Sequence, residues 1–193
     1  LKGVRVGYVK KAFESNYPNR ANDSLTLRTL RELGADLVPF DLPTSVPAGR
    51  ISFLLTVEAA ASFDELTRSG RDDLMVRQGK GAWPNAFRSA RFVPAVEYIQ
   101  ANRARTKLIN EMAAQLKAAR IDVYVSPAYA GGNLTLTNLT GHPCVVLPNG
   151  FTKQNLPTSI TFMGQLFEEG KMLAVAKAYQ DATVWNKKHP VLQ

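Results

Sequence analysis

Cysteine and histidine are scarce in this sequence. Cys144 is the single cysteine, so no internal disulfide can form. It lies in an apolar run, where a small buried hydrophobe is expected. His142 and His189 are the two histidines. Neither has carboxylates or cysteine at ligand spacing, so no metal site is expected. The same scarcity argues against Ser-His-Asp catalysis, and no G-x-S-x-G elbow occurs. His142 precedes Pro143 and reads as a turn residue bonded to backbone. The pairs Asp72-Asp73 and Glu168-Glu169 fall in a loop and at a helix start, where solvation or the helix dipole accounts for them. No catalytic set is visible in the chain.

No apolar stretch is long enough to span a bilayer, and the N-terminus has no signal-peptide core. A soluble, cytoplasmic protein without a membrane partner is expected. The connection after the first strand, KKAFESNYPNRAND, contains no glycine, which argues against a phosphate loop there, and Gly79-Lys80-Gly81 lacks the rest of such a pattern. No cofactor is expected. The net charge of +8 is scattered over positions such as Lys2, Lys10, Arg28, Arg103, Arg120 and Lys187. It forms no dense run and no aromatic stacking platform, so it reads as a solvated face rather than a nucleic-acid surface. Sequons at Asn22, Asn133 and Asn138 matter only in a secreted protein. The chain begins at Leu1 without methionine, as a processed or excised piece would.

What is present is a globular balance: 193 residues, 45% hydrophobic and 21% charged, enough for one domain with a substantial core. Val4 to Val9 reads as a strand. A helix capped at Asp23 or Ser24 follows, with Leu27, Leu30 and Leu33 on one stripe, and Gly34 is placed to end it in a left-handed conformation. Asp36 to Phe40 resumes as strand, completing a βαβ unit whose strands lie parallel. Phe53 to Leu66 has roughly helical spacing. Arg68 to Arg91 reads mostly as loop, with Trp83 and Phe87 as anchors. A long helix should run from Pro94 to about Ala119, its apolar stripe interrupted by Arg105, which either snorkels or pairs with a buried carboxylate. The last helix should run from Glu168 to about Trp185, with Leu173, Ala176 and Tyr179 inward.

The chain is organised around Asp122 to Gly164. Asp122 to Ser126 reads as a buried strand, Pro127 to Thr140 as a hydroxyl-rich loop containing Gly131-Gly132, Pro143 to Leu147 as a second strand and Thr158 to Met163 as a third. The loop offers Tyr129, Asn133, Thr135, Thr137 and Asn138 at strand ends, where ligands of α/β sheets collect. These are the candidate substrate-binding residues; Asx and Thr turns are the other role such residues take.

TNLTGHPCVVLPNGF, followed by LPTSITFMGQLFEEGKMLAVAKAYQDAT, resembles the C-terminal part of the amidase signature family. The resemblance extends through EYIQANRARTKLINEMAAQL and DVYVSPA back to LKGVRVGYV, nearly the whole chain. It implies an α/β/α sandwich with a mixed, largely parallel sheet. It also implies cleavage of a carboxamide C–N bond by a Ser–cis-Ser–Lys triad through an acyl-enzyme. The family's Gly/Ser-rich segment with both serines, and its lysine, normally precede a block like LKGVRVGYV. No GGSSGGS-like segment occurs here, so no catalytic residue is assigned. Asn138, Gly141 and Pro143 match the family's N-L-x-G-x-P element beside the pocket. The chain is thus expected to be one C-terminal domain, 1–193, inactive alone, with an amide substrate and a triad-bearing N-terminal portion as partners. The alternatives are a non-catalytic ligand-binding module and part of the glutamyl-tRNA amidotransferase component that carries the amidase fold. A sheet cut between halves would leave an open edge and favour a homodimer.

Overall fold

The computed structural model describes residues 1–128 and 131–190. The elements run β1 (Arg5–Val9), α1 (Lys10–Glu14), α2 (Arg20–Glu32), β2 (Asp36–Phe40), α3 (Ala48–Ile51), α4 (Leu54–Ser62), α5 (Asp64–Arg68), α6 (Trp83–Ala90), α7 (Ala95–Ala119), β3 (Val123–Pro127), α8 (Asn133–Thr140), β4 (Cys144–Phe151), β5 (Pro157–Gly164) and α9 (Glu169–Asp181). The chain forms two compact units. One comprises Leu1–Pro43 with Ile109–Gln193, and the other Thr44–Leu108.

The first unit holds the sheet, in the order β2-β1-β3-β5-β4. β1 is parallel to β2 and β3, whereas β5 is antiparallel to both β3 and β4. Among the described strands β5 therefore runs against the rest, and the sheet is mixed but largely parallel. Strand alternation sorts the side chains. Val6 lies beside Val123 and Leu37, and Val125 beside Phe162, which in turn lies beside Val145. This face packs on Leu30 of α2 and on Met172, Val175, Ala176 and Tyr179 of α9. Phe162 and Tyr179, with ring centroids 5.4 Å apart, are both fully buried; each such side chain contributes about 1.5–3 kcal/mol. On the opposite face Tyr124 donates a hydrogen bond to Asn133 of α8. Helices thus lie on both sides of the sheet, the layered α/β arrangement that was expected.

Gly34 ends α2 with φ +92°, a conformation other residues resist. The helix start differs from expectation. α2 begins at Arg20, so Asp23 lies in its first turn with its side chain buried rather than capping. α9 ends at Asp181 and turns Met172 and Val175 inward, leaving Leu173 exposed.

The β3–β4 connection is not all loop, because Asn133–Thr140 is helical. The polar residues that suggested a loop bond instead to carbonyls of their own helix: Thr137 to Asn133, Thr140 to Leu136 and Asn138 to Leu134, at 2.8–3.0 Å. Cys144 is exposed rather than buried. β4 is an edge strand, and Cys144 pairs with Met163 on the face away from α2 and α9.

In the second unit, Phe87 and Ala90 of α6 pack with Ala60 of α4, and Phe63 stacks on Phe87 at 5.3 Å. The stretch expected as a mostly open loop carries a 3-10 turn at Arg71–Leu74 as well as α6. The helix expected over Phe53 to Leu66 breaks at Phe63 into α4 and α5, with Asp64 ion-paired to Arg68 and Arg91 in the new first turn. Arg105 pairs with Glu58 at 3.2 Å. Asp72 is buried and paired with Arg88 rather than solvated.

Candidate functional site

β1 connects to β2 on one side of the sheet, and β3 lies on the other side of β1, so the carboxyl ends of β1 and β3 flank a topological switch point. Open α/β sheets bind ligands in the crevice there. A cavity of about 320 Å³ occupies this position. Its walls come from Tyr17, Pro18 and Asn19 after β1, Asp23 in the first turn of α2, Pro127 and Ala128 at the end of β3, and Pro157 to Ser159 at the start of β5.

A polar network backs the cavity. Asn149 donates to Asp23 Oδ1 at 2.6 Å, and Thr158 donates to Asn149 Oδ1 at 2.8 Å. Asn22 donates to Thr158 at 3.0 Å, and Thr26 shares a 3.2 Å hydrogen bond with Tyr179. Asp23 is only 3% exposed. Burial raises its pKa, and the hydrogen bonds from Asn149 and Tyr17 pull it back in part. The Tyr17 hydroxyl is buried. Burial, then the charge of Asp23, pushes its pKa up.

Of the residues expected to bind substrate, Tyr129 lies outside the described residues. Asn133 and Thr137 share the buried face of α8, one turn apart, while Thr135 is half-buried and Asn138 exposed. Asn133 accepts from Tyr124 at 3.0 Å and contacts the Met163 sulfur at 3.3 Å, and Thr137 bonds to its own helix. Asn133 thereby fixes the start of α8 to the sheet. His142 is buried and bonded to a side chain, Thr140 Oγ1, at 2.7 Å, whereas backbone bonding was expected. The Thr140 hydroxyl also lies 3.0 Å from the Leu136 carbonyl, and the imidazole tautomer decides which partner donates between Thr140 and His142. Burial holds its pKa below the ordinary value.

The cavity residues Tyr17, Asp23, Asn149 and Thr158 did not stand out in the sequence. A signal existed: once α2 starts at Arg20, Asp23, Thr26 and Leu30 fall on one helical face, and a carboxylate on an apolar stripe needs a partner. Among the described residues, no group of three or more His, Cys, Asp or Glu could hold a metal ion, and no helix is long and apolar enough to cross a membrane.

The sheet order, the helices on both faces and the crevice at β1 and β3 define an α/β protein with the fold of the amidase signature enzymes. A bacterial aryl acylamidase of that family superposes with a TM-score of 0.72 at 15% identity, over 96% of this chain and 45% of that one. The sequence relationship agrees. The chain is 27% identical to the A component of the glutamyl-tRNA(Gln) amidotransferase of Synechococcus sp. (strain JA-3-3Ab), and 25% identical to an amidase of Pseudomonas putida. Both alignments span the whole of this chain, and the chain spans just under half the length of each relative, 45% and 46%. No family model matches the chain.

Proposed function

We propose that this chain is the C-terminal portion of an amidase signature hydrolase that cleaves a carboxamide C–N bond. In this reading the Ser–cis-Ser–Lys triad lies on an N-terminal portion. The chain supplies strands, cover helices and one wall of the amide pocket, to which the polar residues of α8 contribute. The observation that carries the proposal is the end-to-end match to an amidase and to an amidotransferase component, in a chain with no Gly/Ser-rich segment bearing two serines.

β4 bounds the sheet with Cys144 exposed and Val146 54% exposed. An open edge with apolar side chains is a surface that another portion of an enzyme, or a second copy, would cover. A stable monomer by light scattering at high concentration would count against such pairing.

The test is amide hydrolysis by the longer polypeptide that contains this chain. Ammonia or amine release from a panel of carboxamides, lost when the triad serine is replaced, supports the reading; inactivity on every amide overturns it. A general amidase is favoured over an amidotransferase component because the positive charge is scattered. Salt-sensitive binding of tRNA in preference to other polyanions would reverse that order.

A further inference from the structure

Asp23 is a charged group kept out of water at a cost. Burying a carboxylate is expensive; hydrogen bonds from Asn149 and Tyr17 offset part of the cost for this one, and the Arg20 charge bears on the neighbouring Tyr17. One oxygen is engaged by Asn149 at 2.6 Å. The residue also lines the 320 Å³ cavity, beside the buried Tyr17 hydroxyl. A space of this size accommodates a small molecule.

We propose that this cavity binds a small organic cation, a primary ammonium on a short apolar stem, with Asp23 as its counter-charge. The donor and acceptor inventory selects that chemistry. A guanidinium would seek both carboxylate oxygens in a fork, but Asn149 already occupies Oδ1. An ammonium is a compact cation with three donors. It can use the remaining Asp23 oxygen and the Tyr17 hydroxyl oxygen, both from residues that line the cavity. A divalent metal would need further anionic ligands, and among the described residues Asp23 is the one carboxylate that lines the cavity. Pro18, Pro127, Ala128 and Pro157 supply apolar wall for the stem.

The chain of hydrogen bonds through Asn149, Thr158 and Asn22 holds Asp23 in place. The site is thus organised before a ligand arrives, which lowers the ordering cost of binding. With a chain net charge of +8, the overall field opposes cations, so any selective uptake must come from a local feature. The proposal does not depend on amide hydrolysis: it concerns recognition at this cavity, whatever reaction the longer protein performs.

The test is titration of the 193-residue chain with n-butylammonium and, separately, with 1-butanol, followed by NMR shifts of the Tyr17 and Ser159 amides. Saturable n-butylammonium binding, at least tenfold tighter than 1-butanol, is expected. Asp23→Asn keeps the size and the acceptor toward Asn149 and should weaken the amine at least tenfold, leaving the circular dichroism spectrum unchanged. Tyr17→Phe should weaken it severalfold. Equal binding of amine and alcohol, undiminished binding by Asp23→Asn, or no saturable shift at these amides would each overturn the proposal. Should Asp23→Asn misfold, Tyr17→Phe and the amine-to-alcohol ratio still decide it.

Discussion

Asn149 on the edge strand β4 and Asp23 in the first turn of α2 are 126 positions apart in sequence, and the Asn149 amide nitrogen lies 2.6 Å from the Asp23 carboxylate. This one hydrogen bond ties the far side of the sheet to the βαβ unit at its start. Asn149→Ala removes a donor from a buried charged acceptor and should lower stability by about 1.5–3 kcal/mol. Urea denaturation measures it, and a loss under about 0.5 kcal/mol would mean that water replaces the amide without cost.

Asp23 gives stability a distinctive pH dependence. Its folded pKa lies above the ordinary value because burial disfavours the charge. The folded state therefore holds this proton more tightly than the unfolded chain, and stability declines as pH rises from below about 4 through the folded pKa. Above that folded pKa the penalty is fully present. Asp23→Asn should thus melt higher than the parent at pH 7, with the advantage shrinking as pH falls. His142 acts with the opposite sign: its pKa is lowered by burial, so stability is lost as pH falls below about 6.5. Both proteins carry His142, so melting curves from about pH 3 to 8 isolate the Asp23 part by difference.

Gly131 adopts φ +76°, and a Cβ there would lie 2.6 Å from the Ala12 Cβ. Gly131→Ala adds left-handed strain of about 1 kcal/mol or more to a clash between the α8 approach and α1. Thermal denaturation should show a lower melting temperature, and proteolysis should be faster in this connection; an unchanged melting temperature would contradict the contact.

In the second unit, Asp72 is 1% exposed and Arg88 Nη2 lies 2.5 Å from its carboxylate. Arg88→Ala strands that charge. Removing one partner of a buried pair costs about 3–5 kcal/mol, and the half-exposed Arg88 places this case near the lower end. Arg88→Ala with Asp72→Asn should recover much of the loss, and a double-mutant cycle measures the coupling.

Much of the fold was legible because its signals are local. The Val4 to Val9 run, the α2 stripe with Gly34 and the stripe of α7 each follow from spacing. The signals failed where a short segment satisfies itself. Asn133–Thr140 looks like a loop by composition, yet its hydroxyls and amides bond to helix carbonyls. Cys144 lies in an apolar run, but its exposure depends on β4 being an edge, a property of strand order. The cavity was hidden for a related reason: Asp23, Asn149 and Thr158 meet only after the sheet is assembled.

In the proposed function this chain completes an amide hydrolase without carrying its nucleophile. The most direct measurement is labelling by a serine-directed fluorophosphonate, located by mass spectrometry, on the 193-residue chain and on the longer polypeptide containing it. The account predicts no label on the chain alone and, in the longer protein, one labelled serine outside these residues whose modification abolishes amide hydrolysis. Stoichiometric labelling of a serine within Leu1–Gln193, accompanied by hydrolysis, would contradict it.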